Sequence, residues 1–387
     1  MGVRYLVLAL VARLPFTMMV VGSLTLLVER GETVAAAGAV SAVAGIGTAL
    51  GAPILGRLVE RFGQRVVLLV AALIFAAAVL SFLILVFVSA PLWAVAAVAA
   101  LAGLASPQVA PMSRARVAVT ARRHAPSGDL VDRAMGYESM ADEGAFVLGP
   151  VLVGAASVLL GSFAPLLVAV GLTLTAVLGF ALHRSSALRS DAGPQGREST
   201  RYVTPRFIML FSGMLLVGAI FGATLTSLTA TLERERLAEW TGLIYGLMSV
   251  GSIISAALIS RIPQRVLSRR LRWVMTALLA LVGLCLLAFG SGMAMLVAGL
   301  SVLGLGIGAC LVSIFSYATD AVPAARHTSA FAVLASALIV SQAVTTAGIG
   351  QLVTGAGPQA GFLGGAVLGG LLVVVALAER VVSVKRR

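Results

Sequence analysis

The chain reads as a succession of apolar runs, each close to the length of a bilayer-crossing helix, separated by short segments in which arginine dominates. A helix needs roughly 20 mostly apolar residues to cross the hydrocarbon core of a membrane. Runs of that kind are expected over 5–28, 34–55, 66–88, 92–112, 135–160 and 163–182, and again over 207–231, 241–260, 273–290, 293–317, 328–354 and 360–382. Between the two sets, His183 to Arg206 is the longest polar stretch, irregular in sequence and carrying Arg184, Arg189, Asp191, Gly193, Pro194 and Arg197. The pattern predicts an all-α integral membrane protein of twelve transmembrane helices. A six-helix bundle is expected over 1–182, a cytoplasmic linker over 183–206 and a second six-helix bundle over 207–387.

Composition strengthens this picture. Hydrophobic residues make up 59% of the 387 and charged ones 11%, against roughly 45–50% and about 25% in a soluble domain. A water-soluble fold cannot cover that surplus, so lipid is the expected solvent. A net charge of +13 raises nucleic-acid binding in a soluble protein, but here the positive residues lie between apolar runs and form no single patch. No nucleic-acid partner is expected. On the twelve-span topology, 24 of the 28 basic residues fall on the side that holds both termini, Arg30, Arg234 and Arg236 fall opposite, and Arg13 stays inside the first run. The positive-inside rule makes the richer side, with both termini, cytoplasmic. The expected location is a bacterial inner (plasma) membrane. The first run has no small-residue cleavage site after it, and is expected to be a retained span rather than a signal peptide.

Gly51, Arg61, Gln64 and Arg65 recur 200 residues later as Gly251, Arg261, Gln264 and Arg265, each set at the cytoplasmic end of a second span. Two parallel repeats are a recurrent transporter arrangement with a site near the midplane. The loop after the second span reads Gly56-Arg57-Leu58-Val59-Glu60-Arg61-Phe62-Gly63-Gln64-Arg65. It resembles the signature loop of the major facilitator superfamily, Gly-x-Leu-x-Asp-Arg-x-Gly-Arg-Arg, with Glu60 at the aspartate and Gln64 at the first of the last two basic positions. Helix count, linker and repeat extend the resemblance over the whole chain. It implies that superfamily's fold, two pseudo-symmetric six-helix bundles around a central cavity, and secondary transport by alternating access. It also implies a gate at Gly56, Glu60, Arg61, Gly63 and Arg65. The glycines suit a tight turn and close helix approach, and the Glu60 carboxylate is expected to meet a helix N-terminus or an arginine. The competing reading is an ordinary positive loop. In the fifth span, Gly144, Gly149, Pro150 and Gly154 are similar to the superfamily's antiporter motif, which implies efflux by exchange; glycine and proline are also simply common in membrane helices.

Three acids, Glu138, Asp142 and Glu143, fall in that same span, and Arg13 falls in the first. Charge inside a membrane costs at least about 2.5–3.5 kcal/mol per residue and marks a pathway or relay. Counting along the helices puts Arg13 at the depth of Asp142, so an Arg13 pair with Asp142 or Glu143 is expected. Three acids facing one arginine leave at least one that binds a proton. These four residues are therefore the expected proton-coupling set, Asp142 foremost, against the alternative of a permanent ion-pair cluster. Candidate cavity residues are Phe16 and Gln108 in the first half, with Phe211, Phe221, Thr224, Ser227, Ser313, Phe315 and Tyr317 in the second. The second half brings no charge to the middle of a span, so an amphipathic, neutral or weakly cationic solute fits better than a polyanion.

Enzyme signatures are missing from the sequence. Lys385 is the one lysine, so no phosphate-binding Gly-x-x-x-x-Gly-Lys loop exists. The histidines His124, His183 and His327 have no metal-spaced partner, and no Gly-x-Ser-x-Gly elbow occurs. The expectation is a non-enzyme without cofactor or metal, whose partners are a small-molecule substrate, protons and the lipid bilayer. The favoured reading is proton-coupled export of a small amphipathic compound. Uptake of a neutral solute is the alternative transporter reading, and a non-transporting receptor or assembly partner is the alternative of another class. Gly361, Gly365 and Gly369 repeat at a spacing of four in the last span, which suits either a dimer contact or packing within the bundle; a monomer is expected.

Overall fold

The computed structural model describes residues 2–32, 34–124, 129–187, 203–237 and 241–384, and among them every regular element is helical. In the first half these are α1 (Val3–Val11), α2 (Leu14–Glu29), α3 (Val34–Phe62), α4 (Gln64–Phe87), α5 (Leu92–Leu104), α6 (Val109–His124), α7 (Asp129–Leu160), α8 (Ala164–Leu172) and α9 (Leu178–Leu182). The second half holds α10 (Pro205–Arg234), α11 (Thr241–Ile259), α12 (Arg269–Phe289), α13 (Gly292–Ala321), α14 (His327–Ala356) and α15 (Pro358–Val384). Among the described residues, 11 helical stretches are long and apolar enough to cross a membrane, and a shorter apolar stretch, Ile244–Ile259, lies within α11. They coincide with the twelve predicted runs. The chain is a multi-pass membrane protein, and it turns large apolar side chains such as Trp93, Leu159 and Phe289 outward.

Three predicted spans are not continuous helices, and in two of them proline is the reason. The first breaks between α1 and α2 at Ala12–Arg13. Pro15 has no N–H to give the Val11 carbonyl, and its ring crowds that residue. The Arg13 N–H turns to Leu10 at 3.1 Å. The fourth breaks at Pro107 into α5 and α6, and α6 continues to His124, well past the expected end at 112. The sixth contains a π-helical segment, Thr173–Val177, between α8 and α9. Such bulges insert a residue into a helix without ending it.

The chain forms two compact units. One comprises Met1–Thr120, Gly144–Arg197 and Ala324–Ser336; the other comprises Ala121–Glu143, Glu198–Pro323 and Ala337–Arg387. Helices α6, α7 and α14 therefore contribute to both. Glycine sets the helix spacing inside each unit. In the first, a Cβ on Gly51 of α3 would lie 2.2 Å from the Leu104 carbonyl oxygen, and one on Gly103 of α5 would lie 2.0 Å from that of Ala44. In the second, a Cβ on Gly251 of α11 would lie 2.8 Å from the Ser301 carbonyl, and one on Gly304 of α13 would lie 2.1 Å from that of Met248. The repeat glycines Gly51 and Gly251 thus do the same work, seating the second span of each half against its fourth. Gly361, Gly365 and Gly369 of α15 face Ser227, Leu284 and Leu281 of the same unit. That stripe is taken up by packing within the unit.

Candidate functional site

The signature loop lies in the first unit. Gly63 has φ +86°, a conformation that strains any residue with a Cβ, and it caps α4 directly after α3 ends. A Cβ on Gly56 would meet the Ser329 Cα at 3.0 Å, so glycine there lets the start of α14 lie on α3. One turn on, Glu60 Oε2 accepts from Arg326 Nη1 at 2.5 Å. The carboxylate is 11% exposed and the guanidinium 36%. Arg61 lies 5.1 Å from the Phe62 ring, and Arg65 is exposed.

Gln64 faces a different partner. Its Oε1 accepts from Arg116 Nε at 2.6 Å, and Arg116 also donates to the Phe180 carbonyl at 2.9 Å and to Ser185 Oγ at 3.2 Å. The guanidinium stacks 4.0 Å over the Phe180 ring. Arg114 and Arg116, counted from sequence as loop charges, are buried because α6 carries them back into the helices. Ser185 passes the network to His183, whose Nδ1 lies 2.9 Å from Ser185 Oγ and accepts the Ser185 backbone N–H at 3.2 Å. Burial pushes the His183 imidazole below its ordinary range, and the charges of Arg116 and Arg184 push it further down.

The second unit holds a larger charged cluster that the sequence reading does not single out. Asp132, in the first turn of α7, is completely buried. Its Oδ1 accepts from Arg269 Nε at 2.9 Å and forms an ion pair with Nη2 at 2.9 Å, and its Oδ2 accepts from Arg272 Nη1 at 2.7 Å and Gln264 Nε2 at 3.2 Å. Asp129 accepts the Gln264 backbone N–H at 3.0 Å. Arg269 also pairs with Asp320, which in turn pairs with Arg122 at 2.7 Å. Both carboxylate oxygens of Asp132 are thereby hydrogen-bonded and paired with arginine, the condition under which a buried charge is tolerated. The missed signal was the scarcity of acids on the arginine-rich ends of the helices: Asp129, Asp132 and Asp320 stand there among many arginines.

Deeper along α7, Glu138 is fully buried and Glu143 is 9% exposed, while Asp142 is half-buried. Glu143 Oε1 accepts from Ser252 Oγ of α11 at 3.1 Å. Arg13 is buried in the first unit, at the proline break, where its Nη1 donates to the Ala9 carbonyl at 2.8 Å. That carbonyl is the one the displaced Arg13 N–H leaves, so the side chain takes up an acceptor that the broken turn exposes. Of the antiporter-like residues, Gly149 is required by packing, since a Cβ would meet Thr17 Oγ1 at 2.2 Å. Gly144 has ordinary contact with Leu10, Gly154 has open space around it, and Pro150 sits inside α7 without ending it.

The candidate cavity side chains sort by their partners. Gln108 is buried and donates to the Ser106 carbonyl at 3.0 Å, and Ser313 donates to the Ala309 carbonyl at 2.8 Å. Ser227 is buried on α10, and a Cβ on Gly361 would lie 2.2 Å from its hydroxyl, so glycine there leaves it room. Thr224 is fully buried on α10 with no partner for its hydroxyl among the described residues, as is Ser316 on α13. Phe315 and Tyr317 are buried, and Phe16, Phe211 and Phe221 are half-buried.

A family model of the major facilitator superfamily matches residues 5–323. The chain belongs to that superfamily. Among solved structures it is similar to a bacterial homologue of the iron transporter ferroportin in an outward-facing state, with TM-score 0.74 and 16% identity over 98% of this chain and 100% of that one. It is also similar to the human organic anion transporter MFSD10 (TETRAN), with TM-score 0.73 and 16% identity over 96% and 98%. The E. coli fucose:proton symporter FucP follows at TM-score 0.69 and 15% identity over 96% and 98%. No curated protein matches the chain. Together these make it a membrane transporter with the superfamily's fold.

Proposed function

We propose that the chain exports a small amphipathic organic compound in exchange for protons, by alternating access between two six-helix bundles at 1–182 and 207–387 joined by 183–206. The observation that carries this reading is the burial of Glu138 and Glu143 in a membrane-length helix, beside the half-buried Asp142. Carboxylates kept from water at that depth are tolerated when they exchange protons or meet a cation. Arg13, Glu138, Asp142 and Glu143 form the proposed coupling set, and the partner-free hydroxyl of Thr224 with Phe211, Phe221 and Tyr317 forms part of the proposed substrate surface. The chain works as a monomer in a bacterial inner membrane with both termini cytoplasmic, an orientation supported by the arginine count. It carries out no catalysis and holds no cofactor.

In the same reading, the Glu60–Arg326 pair and the Asp132 cluster are the cytoplasmic clamps of one access state. Both lie on the arginine-rich side, and each ties the loop after a second span to the start of a fifth or eleventh. Purified protein in liposomes with an acidic lumen tests the function, with ethidium and other amphipathic cations as probes. Exchange with protons accumulates the compound inside, relative to empty liposomes. Accumulation only under the opposite gradient, or none at all, contradicts export.

A further inference from the structure

We propose that the seam between α7 and α11 binds the phosphate of an anionic lipid headgroup. The two helices come close at Gly136, where a Cβ would lie 2.3 Å from that of Ser260. At this contact they leave a cleft of about 370 Å³, lined by Arg133, Met140, Ala257, Ser260 and Arg261. Both arginines are exposed, and among the described residues neither has a carboxylate partner. The nearby acids are already engaged: Asp132 by Arg269 and Arg272, Asp129 by Gln264, and Asp320 by Arg122 and Arg269. The cleft therefore carries two positive charges without a carboxylate partner among the described residues, whereas Arg122, Arg269 and Arg272 of the same unit are paired.

Its position selects the ligand. Arg133 stands just before the fifth apolar run and Arg261 just after the eighth, so both guanidinium groups lie at headgroup depth on the arginine-rich side. Met140 and Ala257 lie one to two turns deeper and offer an apolar wall. The Ser260 hydroxyl is committed to the Ala257 carbonyl at 2.9 Å, which leaves recognition to the arginines. Guanidinium groups match phosphate oxygens in fork geometry, and basic pockets between helices on the cytoplasmic side suit lipid phosphates. A soluble phosphate uses the arginines but leaves the apolar wall without a role; a lipid uses both. Occupancy would join the start of α7 to the end of α11, independently of what is transported.

The test uses the full chain purified in a neutral detergent, titrated with phosphatidylglycerol or phosphatidylcholine, with bound lipid counted by native mass spectrometry. Phosphatidylglycerol is expected to bind preferentially. Arg133→Gln/Arg261→Gln is expected to weaken it about thirtyfold, the contribution of two basic residues near an anionic surface. Arg133→Lys/Arg261→Lys keeps most of the binding, and Arg57→Gln/Arg184→Gln, which removes as much charge elsewhere, leaves it unchanged. Unaltered thermal unfolding of the variants in phosphatidylcholine shows that they fold. Equal binding of both lipids, an unaffected Arg133→Gln/Arg261→Gln protein, equal weakening by the Arg57/Arg184 pair, or complete displacement by millimolar inorganic phosphate overturns the proposal.

Discussion

The two proposed clamps on the arginine-rich side occupy equivalent places in the repeat, yet their charges run in opposite directions. In one, the loop after the second span supplies the acid, Glu60, and the start of α14 supplies the cation, Arg326. In the other, the loop and first turn after the eighth span supply Gln264, Arg269 and Arg272, and α7 supplies the acid, Asp132. Their surroundings differ as much. Glu60 has a single partner that is 36% exposed, whereas Asp132 is fully buried between arginines that are 8% and 2% exposed. A pair whose guanidinium still reaches water comes nearer the roughly 0–1 kcal/mol of surface pairs. Breaking a buried one costs about 3–5 kcal/mol, because a charge is left in a medium that cannot solvate it. The repeat thus places a strong, water-excluded tie in one half and a weak, readily reversible one in the other.

The largest effect expected is that of Asp132→Asn, which leaves the buried Arg272 without a carboxylate and Arg269 with Asp320 alone, and should destabilise the protein by about 3–5 kcal/mol in reversible unfolding in detergent. Replacing all three residues together, as Asp132→Leu/Arg269→Met/Arg272→Met, should recover much of that loss. A cost below about 1 kcal/mol for Asp132→Asn would erase the distinction between the clamps.

The helix approaches behind each clamp sharpen the comparison. A Cβ on Gly136 would meet the Ser260 Cβ at 2.3 Å and the Ala256 carbonyl at 3.0 Å, while one on Gly56 meets the Ser329 Cα at 3.0 Å. Gly136→Ala is expected to cost about 1–3 kcal/mol by overpacking, and Gly56→Ala less, measured as the shift in unfolding midpoint. If Gly56→Ala is the more damaging, the first clamp is the more tightly built.

Glu60→Gln should change stability by less than about 1 kcal/mol, yet alter transport turnover through the balance of access states, where coupling energies run about 1–3 kcal/mol. Raised salt should mimic it, because partly exposed charges are screened and buried ones are not. Wild-type turnover by Glu60→Gln across pH would remove Glu60 from the gate.

The smallest effect concerns His183, beside the Gln64–Arg116 network. Its imidazole titrates below the ordinary range in the folded protein, so the unfolded chain binds more protons just below pH 6.5. The stability it confers is complete above that pH and falls as the pH drops through the depressed folded value. His183→Gln should flatten this acid-side slope in thermal unfolding; an unchanged slope would place its origin elsewhere.

Much of this was legible in the sequence. Apolar run length located each of the candidate membrane helices among the described residues, since a bilayer permits little else of that length. The loop glycines were readable because a positive φ at Gly63 and a close approach at Gly56 leave little alternative. Glu60 was expected to meet a helix start or an arginine, and Arg326, just ahead of α14, meets that description. The interruption at Arg13 was missed although Pro15 announces it, because hydropathy does not register a lost backbone donor. The Asp132 cluster was missed because its members are far apart in sequence and each looks like a topology charge. Ser227 and Ser313 are cavity candidates by residue type, and residue type does not reveal that one hydroxyl lies beside Gly361 and the other donates to its own helix backbone.

The central claim is that the α7 carboxylates carry the coupling proton. Glu138→Gln, Asp142→Asn and Glu143→Gln should be compared with wild type in acid-lumen liposomes, scoring both gradient-driven accumulation of ethidium and its exchange without a gradient. The account predicts that at least one variant loses accumulation while keeping exchange, because the solute path survives and the link to protons does not. If all three variants still concentrate the compound against its gradient, the cluster is structural and the proton moves by another route.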